Sequence, residues 1–224
     1  MWRFSSLFLF ALPATAAEPV VAGYFPEWAI YGRKFEVSQV PGEHLTHLIY
    51  AFAKIENGEV VVFDKYAALE KTNPGDKFDE PIRGNFKQLQ LLKKKHPHLK
   101  TLIAVGGWTL SGPFSDVAFT VESRTNFAKS CVKFVRTYGF DGVDIDWEYP
   151  VSGGLETNKY RAADKENCTK LIAELRSQLE AAGKEDKKNH VKFDPPYIWK
   201  LTQYIRNFHV LNEYELEKPN ATGA

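Results

Sequence analysis

Apolar positions along the chain fall into short continuous runs that alternate with stretches of helical spacing. Four short runs predict β-strands, at residues 20–25, 45–53, 101–106 and 143–148. Three longer stretches with apolar residues on one face predict amphipathic helices, at residues 86–95, 124–138 and 163–182. Alternation of strands and helices is typical of an α/β fold with a parallel sheet. The pattern alone leaves a closed barrel and a doubly wound open sheet as alternatives.

The last predicted strand carries an unusual row of acids. Asp144, Asp146 and Glu148 share one face of a strand, while the apolar residues between them occupy the other face. Carboxyl groups spaced about 6 to 7 Å apart along one face repel one another when partly buried. At least one is therefore expected to hold its proton near neutral pH, which favours acid chemistry. Asp141 lies off this parity and is predicted to brace the start of the strand.

An acidic row can also be a solvated face or a calcium site. The intervening apolar residues favour a buried strand, and Pro150 ends it directly after the acids. No twelve-residue loop rich in Asn and Gly follows to supply oxygen ligands for calcium. The pair His44 and His47 is predicted to be structural, since one such pair is a weak metal motif. We therefore favour a catalytic row and expect no metal or cofactor.

The row also matches a known signature. Asp141-x-x-Asp144-x-Asp146-x-Glu148, followed by Tyr149 and Pro150, resembles the motif of the family 18 glycoside hydrolases, in particular their chitinase branch. Three upstream stretches carry further similarity: Gly23-Tyr-Phe-Pro-Glu-Trp28, Leu45-Thr-His-Leu-Ile-Tyr-Ala-Phe52 and Ala104-Val-Gly-Gly-Trp-Thr-Leu-Ser111. The last stretch, with Gly112-Pro-Phe114, is similar to the bacterial chitinase A type. The resemblance covers about residues 20 to 182.

The resemblance implies a (β/α)₈ barrel of the TIM type, with its chemistry at the carboxyl ends of the strands. It implies hydrolysis of β-1,4 bonds between N-acetylglucosamine units, with Glu148 as the proton donor. Asp146 is implied to orient the substrate's acetamido group, whose carbonyl oxygen replaces a carboxylate nucleophile. Asp144, deeper in the barrel, is implied to share a proton with Asp146, and Tyr149 is a candidate donor to the acetamido oxygen.

Aromatic residues near the predicted strand ends are candidate sugar platforms, because a pyranose ring presents an apolar face to an aromatic side chain. The candidates are Trp108, Tyr24, Trp28 and Phe52. Gly107 precedes Trp108, and its missing side chain lets a neighbouring chain or a ligand come close. Ordinary packing is the alternative for each of these residues.

Two features depart from the family pattern. Ala104 stands where the family usually has a serine, which removes a hydroxyl expected to support the inner aspartates. After Gly183 the alternation stops with about 40 residues left, whereas four further strand–helix units of roughly 30 residues each are needed to close a barrel. We therefore predict the amino-terminal half of an incomplete barrel at residues 18–188, with an insertion at 54–84, and a divergent tail at 189–224.

The amino terminus and the charge constrain location and partners. Arg3, an apolar stretch and Ala14-Thr-Ala16 are typical of a signal peptide over residues 1–17, so we expect a secreted protein. The formal net charge of +1 argues against nucleic acid or an anionic membrane as a partner. We expect a monomer that binds chitin or chito-oligosaccharides.

The cysteines and the glycosylation motifs give two smaller predictions. Cys131 and Cys168 fall on apolar stripes of predicted helices, which favours buried free thiols over a disulfide. The sequons at Asn167 and Asn220 are expected to be able to carry glycans in a eukaryotic host.

Three functions are compatible with these observations. The first is a secreted chitinase that acts by substrate-assisted, retaining catalysis. The second is a catalytically impaired fragment or a lectin-like relic that binds chitin, which the missing second half favours. The third is an endo-β-N-acetylglucosaminidase, which shares the carboxylate row. The residues around Trp108 and Tyr149 favour chitin over this third substrate.

Overall fold

The computed structural model describes residues 19–77 and 79–186, in an α/β arrangement. The strands are β1 (Ala22–Pro26), β2 (His47–Glu56), β3 (Glu59–Val62), β4 (Lys100–Gly106) and β5 (Gly142–Asp146). The α-helices are α1 (Gly84–Lys95), α2 (Phe114–Phe119), α3 (Val121–Tyr138) and α4 (Asp164–Glu185). Short 3₁₀ turns cover Glu27–Ile30, Val37–Gln39 and Gly42–His44, and a π-helical turn covers Tyr66–Glu70. The predicted signal peptide and tail lie outside the described residues.

The sheet has the order β1-β2-β4-β5, and these four strands are parallel, as the alternation of elements predicts. Its inner face must be concave, because Tyr24 on β1 donates a hydrogen bond of 2.8 Å to Asp144 on β5. In a flat sheet these strands would stand three steps of about 4.8 Å apart, roughly 14 Å, with their side chains parallel. Curvature brings the two side chains together and places the carboxyl ends of β1 and β5 around one cleft.

The insertion after the second strand is more regular than its composition predicts. β2 continues to Glu56 and turns through Asn57 and Gly58 into the antiparallel strand β3. Both turn residues have positive φ, which suits the two-residue hairpin that an Asn-Gly pair favours. The prediction of a partly irregular segment holds only beyond β3, where the chain forms a single π-helical turn and then a loop.

The last strand is shorter than predicted. β5 ends at Asp146, two residues before the end of the predicted strand, because its partner β4 ends at Gly106. Gly106 has a φ of +109°, and a Cβ there would lie 2.3 Å from the Asp146 carbonyl oxygen. Strands β4 and β5 therefore separate after these two residues, and Glu148 lies in the loop just beyond the sheet.

The helices cover the outer face of the sheet. Side chains of β2, β4 and β5 that point outward join the main apolar core, which includes Tyr50, Ile103 and Phe134. The inner face holds a smaller cluster of Ile49, Ala51, Leu102, Ala104 and Phe52. Among the described helices, none combines the length and the apolar character that a membrane crossing requires.

Cys131 and Cys168 are both free, as predicted, and Cys131 is fully buried on α3. The prediction for Asn167 is wrong for the folded chain. Asn167 is only 5 % exposed, and its amide points to Asp164 on the same helix, so it cannot serve as a glycan acceptor after folding. Asn220 lies outside the described residues.

Candidate active site

The register of β4 and β5 brings the predicted acids to the carboxyl ends of the parallel strands. Ala104 pairs with Asp144, and Gly106 pairs with Asp146. The intervening Val143 and Ile145 pack against the outer core, so the strand alternates as the sequence predicts. The acids consequently face the concave side of the sheet, where the ends of parallel strands offer a cleft for a ligand.

Asp144 is the first of the three acids along β5, and it is half-buried, whereas Asp146 and Glu148 are buried. Burial raises the pKa of Asp144 to about 6, and the hydrogen bond from the Tyr24 hydroxyl partly opposes this rise. Burial and the charge of Asp144 in turn hold the pKa of Tyr24 above its usual value, so the phenol keeps its proton to donate. Ala104 stands beside Asp144 in the sheet and is fully buried, but its methyl group offers no hydrogen bond.

Asp146 has the pKa most suited to proton chemistry. Burial, followed by the negative charges of Asp144 and Glu148, raises the pKa of Asp146 to about 8. A side-chain hydrogen bond joins Asp146 to Glu148. At least one proton is therefore held on this row near neutral pH, as the spacing of the acids predicts. The direct hydrogen bond of Asp146 is to Glu148, whereas that of Asp144 is to Tyr24.

Glu148 is buried at 2 % exposure although it lies beyond the end of β5. Its backbone N–H donates to the Ser111 hydroxyl at 2.8 Å. Its carbonyl oxygen accepts a hydrogen bond from the Asn158 amide at 3.0 Å. Two side chains from separate loops thus hold this residue in place of a strand partner.

Asp141, for which we predict a structural role, directly precedes β5, at the opposite end from Glu148. Its carboxylate accepts the backbone N–H of Thr101 at 2.8 Å and pairs with Lys93 at 2.6 Å. These contacts connect the start of β5 to β4 and to α1. Asp141 therefore braces the strand at a distance from the cleft.

Two exposed tryptophans lie just beyond the carboxyl ends of strands in the same sheet. Trp28 follows β1 and Trp108 follows β4, and each is 48 % exposed. Phe52 stacks on Trp28 with ring centroids 6.2 Å apart. Exposed indole rings near strand ends are suited to stacking on a sugar ring, and this role of the two tryptophans stays a prediction.

Gly107 and Tyr24, two of the other predicted binding residues, have contacts within the protein. Gly107 has a φ of +83°, and a Cβ there would lie 2.8 Å from the Phe52 ring, so this side chain occupies the space beside Gly107. The Tyr24 hydroxyl is occupied by Asp144, while 44 % of the residue stays exposed. Tyr149 is half-buried directly after Glu148, and its role at the acetamido oxygen remains a prediction.

The remaining sequence predictions near the site concern packing and metals. Trp147 is 7 % exposed and stacks on Phe114 at 5.4 Å, which confirms that it faces the helices. His47 contacts the neighbouring Thr46 hydroxyl through Nδ1 at 2.9 Å. Within the two described ranges, no group of three or more His, Cys, Asp or Glu side chains could hold a metal ion.

Sequence reasoning missed Ser111, Asn158 and Glu27. Ser111 belongs to one of the stretches that carry the family resemblance, but nothing local indicates that it bonds to a residue 37 positions away. Asn158 lies in a loop without periodicity. Glu27 is an acid in an otherwise aromatic stretch, and its 2 % exposure could not be foreseen from its neighbours.

Parallel strands with helices on one face, and hydrogen-bonded buried acids beside exposed tryptophans, define a glycoside hydrolase type of site. The family described as "Glycosyl hydrolases family 18" matches residues 20–197. The chain belongs to this family.

Curated relatives and solved structures agree with this assignment. The chain is 42 % identical over 217 residues to "Chitinase A1" of Niallia circulans, covering 81 % of this chain and 31 % of that protein. It is 38 % identical over 184 residues to "Endochitinase 1" of Metarhizium anisopliae, covering 76 % and 41 %. Chitinase ChiA74 from Bacillus thuringiensis superposes with a TM-score of 0.74 at 38 % identity, covering 77 % of this chain and 34 % of that one.

The same neighbours define the fold. The four parallel strands and their helices are part of a TIM-barrel-type fold, and the sheet of the described residues is open. This confirms the predicted fold class and decides against the doubly wound alternative. The chain spans between 13 % and 41 % of the length of the first three curated relatives.

Proposed function

We propose that the chain carries the acid machinery of a chitinase, which hydrolyses β-1,4 bonds between N-acetylglucosamine units. The observation that carries this proposal is the hydrogen-bonded, buried pair Asp146 and Glu148 at the carboxyl end of β5. The relatives named above are chitinases, which supports this substrate class.

The closeness of the two carboxyl groups favours a substrate-assisted reaction. An inverting hydrolase needs its two carboxyl groups about 6.5–9.5 Å apart to admit a water, and a retaining one with a carboxylate nucleophile needs about 5–5.5 Å. A direct hydrogen bond between Asp146 and Glu148 leaves neither space. The nucleophile must then come from the substrate, and the acetamido carbonyl oxygen of N-acetylglucosamine is suitably placed for attack on its own anomeric carbon.

In the first step Glu148 gives its proton to the glycosidic oxygen as the bond to the anomeric carbon breaks. The acetamido oxygen forms a bond to that carbon, and the resulting oxazolinium ion carries the positive charge. The proton that Glu148 gives comes from Asp146 across their shared hydrogen bond, which leaves Asp146 ionised, so that it orients the acetamido N–H and balances this charge. In the second step Glu148 takes a proton from water, whose oxygen attacks the anomeric carbon and restores the acetamido group with retention of configuration.

Trp28 and Trp108, which follow β1 and β4, fit the role of sugar platforms, because about half of each residue is exposed. The signal-like segment at residues 1–17 supports a secreted enzyme, for which an insoluble extracellular polysaccharide is an accessible substrate. A second candidate is release of N-acetylglucosamine, since one structural neighbour is a family 18 N-acetylglucosaminidase from Paenibacillus barengoltzii, at 31 % identity and a TM-score of 0.58.

Turnover of a fluorogenic chitobioside by the purified chain tests the proposal. Glu148→Gln keeps the shape of the side chain but removes the proton donor, so we expect turnover to fall by about 10²–10⁴-fold. Glu156→Gln, an exposed residue of the same loop, is the matched control and should retain full activity.

Equal turnover by the wild-type chain and Glu148→Gln would contradict the proposal. If neither protein turns over substrate and both are retained on chitin, the chain is the lectin-like relic. Comparison of chitobioside with the monosaccharide glycoside, on the active wild-type chain, separates chitinase action from release of N-acetylglucosamine.

A further inference from the structure

The backbone of Glu148 needs partners that the sheet does not supply. The hydrogen bond from Gly107 N to the Asp146 carbonyl oxygen, 2.7 Å long, is the last backbone contact between β4 and the end of β5. Glu148 lies two residues further and is 2 % exposed. Because unpaired backbone polar groups are costly when buried, its N–H and its carbonyl group require partners from elsewhere.

The Ser111 hydroxyl supplies the first partner. It accepts the Glu148 N–H at 2.8 Å and lies 2.8 Å from the Gly107 carbonyl oxygen and 3.0 Å from the Asp146 carbonyl oxygen. A hydroxyl has one hydrogen, which it can give to either carbonyl, and lone pairs that accept the N–H. Ser111 is fully buried, so one hydroxyl connects the ends of β4 and β5 out of reach of water.

Asn158 supplies the second partner from the loop between β5 and α4. Its amide donates to the Glu148 carbonyl oxygen at 3.0 Å. Gly154 of the same loop has a φ of +77°, and a Cβ at this residue would lie 2.2 Å from the Glu148 carbonyl oxygen. The loop is therefore folded directly against Glu148, and only a glycine permits this approach.

We infer that Ser111 and Asn158 are positioning residues that fix the backbone of Glu148 and thereby aim its carboxyl group at Asp146 and at the glycosidic oxygen. This inference rests on the proposed function, because the position of an acid matters only where that acid transfers a proton. Neither residue needs to touch the substrate. A misplacement of about 1 Å in a catalytic group can cost roughly 10²-fold in rate. The loss of either hydrogen bond to the Glu148 backbone should therefore act mainly on kcat.

Ser111→Ala removes the acceptor for the Glu148 N–H. We expect kcat on the chitobioside to fall about 10–100-fold, with KM changed less than about twofold. Asn158→Asp keeps the shape but loses the amide donor and should give a smaller loss of kcat. Ser111→Thr retains the hydroxyl and should recover part of the activity.

Ser115→Ala is the matched control. Ser115 is equally buried, but its hydroxyl donates to Asp164 at 2.7 Å, on α4. Both alanine variants should therefore lose a buried hydrogen bond and melt at a lower temperature, whereas kcat of Ser115→Ala should stay within about twofold of wild type. Equal losses of kcat in the two variants, or a Ser111→Ala effect confined to the melting temperature, would overturn the inference.

A measurement without turnover separates this inference from the proposed function. In the chain with ¹³C-labelled carboxyl groups, Ser111→Ala should change the NMR titration of Asp146, which is hydrogen-bonded to Glu148, and Ser115→Ala should leave it unchanged. If the wild-type chain is inactive but this difference appears, Ser111 does position Glu148 and the proposed function fails. If the two variants titrate alike and the wild-type chain is active, the inferred positioning role of Ser111 is wrong and the proposed function stands.

Discussion

Two buried carboxyl groups in this protein have the same raised pKa and very different surroundings. Burial raises the pKa of both Asp146 and Glu27 to about 8. Glu27 lies between the sheet and α1, where it accepts a hydrogen bond from the Tyr50 hydroxyl at 3.3 Å. Asn85 of α1 donates to the same hydroxyl at 3.2 Å. Glu27 is thus held among neutral hydrogen-bonding groups, with the charge of Asp64 as a second cause of its raised pKa.

The surroundings of Asp146 differ in two respects. Its side-chain partner is a second carboxyl group, that of Glu148, and its side of the sheet carries the exposed Trp28 and Trp108. A raised pKa caused by burial therefore marks both positions, and only the pairing of acids beside a cleft distinguishes the candidate active site. Substitutions at the two positions should separate catalytic from structural consequences of the same pKa shift.

The largest effect on turnover, relative to wild type, is expected for Asp146→Asn. The amide cannot balance the oxazolinium charge, so turnover of the chitobioside should fall about 10²–10³-fold. The folded-state pKa of Asp146 lies above its unfolded value, so the stability that its protonated form contributes is present at low pH and is lost as pH rises towards 8. Asparagine has no charge to bury. The variant should therefore melt several degrees above wild type at pH 8 and close to it at pH 4.

Thermal melts at the two pH values check the stability effect, and a fixed-pH assay checks turnover. An activity loss with no pH-dependent gain in stability would mean that Asp146 is already ionised and tolerated in the folded protein. A gain in stability without loss of activity would place Asp146 outside the reaction.

A smaller effect is expected for Tyr24→Phe. The lost hydroxyl no longer favours the ionised form of Asp144, so the pKa of Asp144 should rise above about 6 and the acidic limb of the activity profile should move to higher pH. We expect about a tenfold loss of turnover near pH 5 and a smaller loss near pH 8. Ala104→Ser places a new hydroxyl beside Asp144 in the sheet register. In the Tyr24→Phe background it should restore part of the loss, and failure to do so would show that Ala104 is too remote to replace Tyr24.

The arrangement of the acids was predictable because it follows from a local rule. Alternation along one strand places Asp144 and Asp146 on the inner face, and it assigns Trp147 to the core. The same rule could not locate the end of β5, because the end depends on where β4 leaves it. The predicted strand was therefore two residues too long.

Contacts between distant segments could not be predicted from the sequence for the same reason. Ser111 and Glu148 are 37 residues apart, and only the folded sheet brings them together. Gly107 was predicted to admit a chain or a ligand, and the neighbour proved to be Phe52 from another strand. The sequon at Asn167 matches the glycosylation motif, but Asn167 is buried on α4 and its amide is inaccessible in the folded chain.

The smallest effect is expected for Glu27→Gln, and it tests the comparison most directly. Glutamine keeps the hydrogen-bonding shape without the charge, so turnover should stay within about twofold of wild type. Because burial raises the folded-state pKa of Glu27 from 4.5 to about 8, wild type should lose stability as pH rises between these two values, while the variant should not. Melts at pH 4 and pH 9 should show similar stability at the lower pH and a higher melting temperature for the variant at the upper pH. Glu59→Gln, at an exposed position on β3, should show no such divergence.

A loss of turnover in Glu27→Gln would mean that Glu27 is not a purely structural counterpart of Asp146. Glu27 directly precedes Trp28, and Asp64 beside it accepts a hydrogen bond of 2.6 Å from Tyr31. The buried acid is thus the first residue of the turn that carries the exposed tryptophan. An effect on KM with kcat unchanged would mean that Glu27 holds this platform, whereas an effect on kcat would mean that the change reaches Asp146, for which Phe52 and Gly107 offer a route from Trp28. Turnover measured across substrate concentrations therefore decides whether the two buried acids are independent.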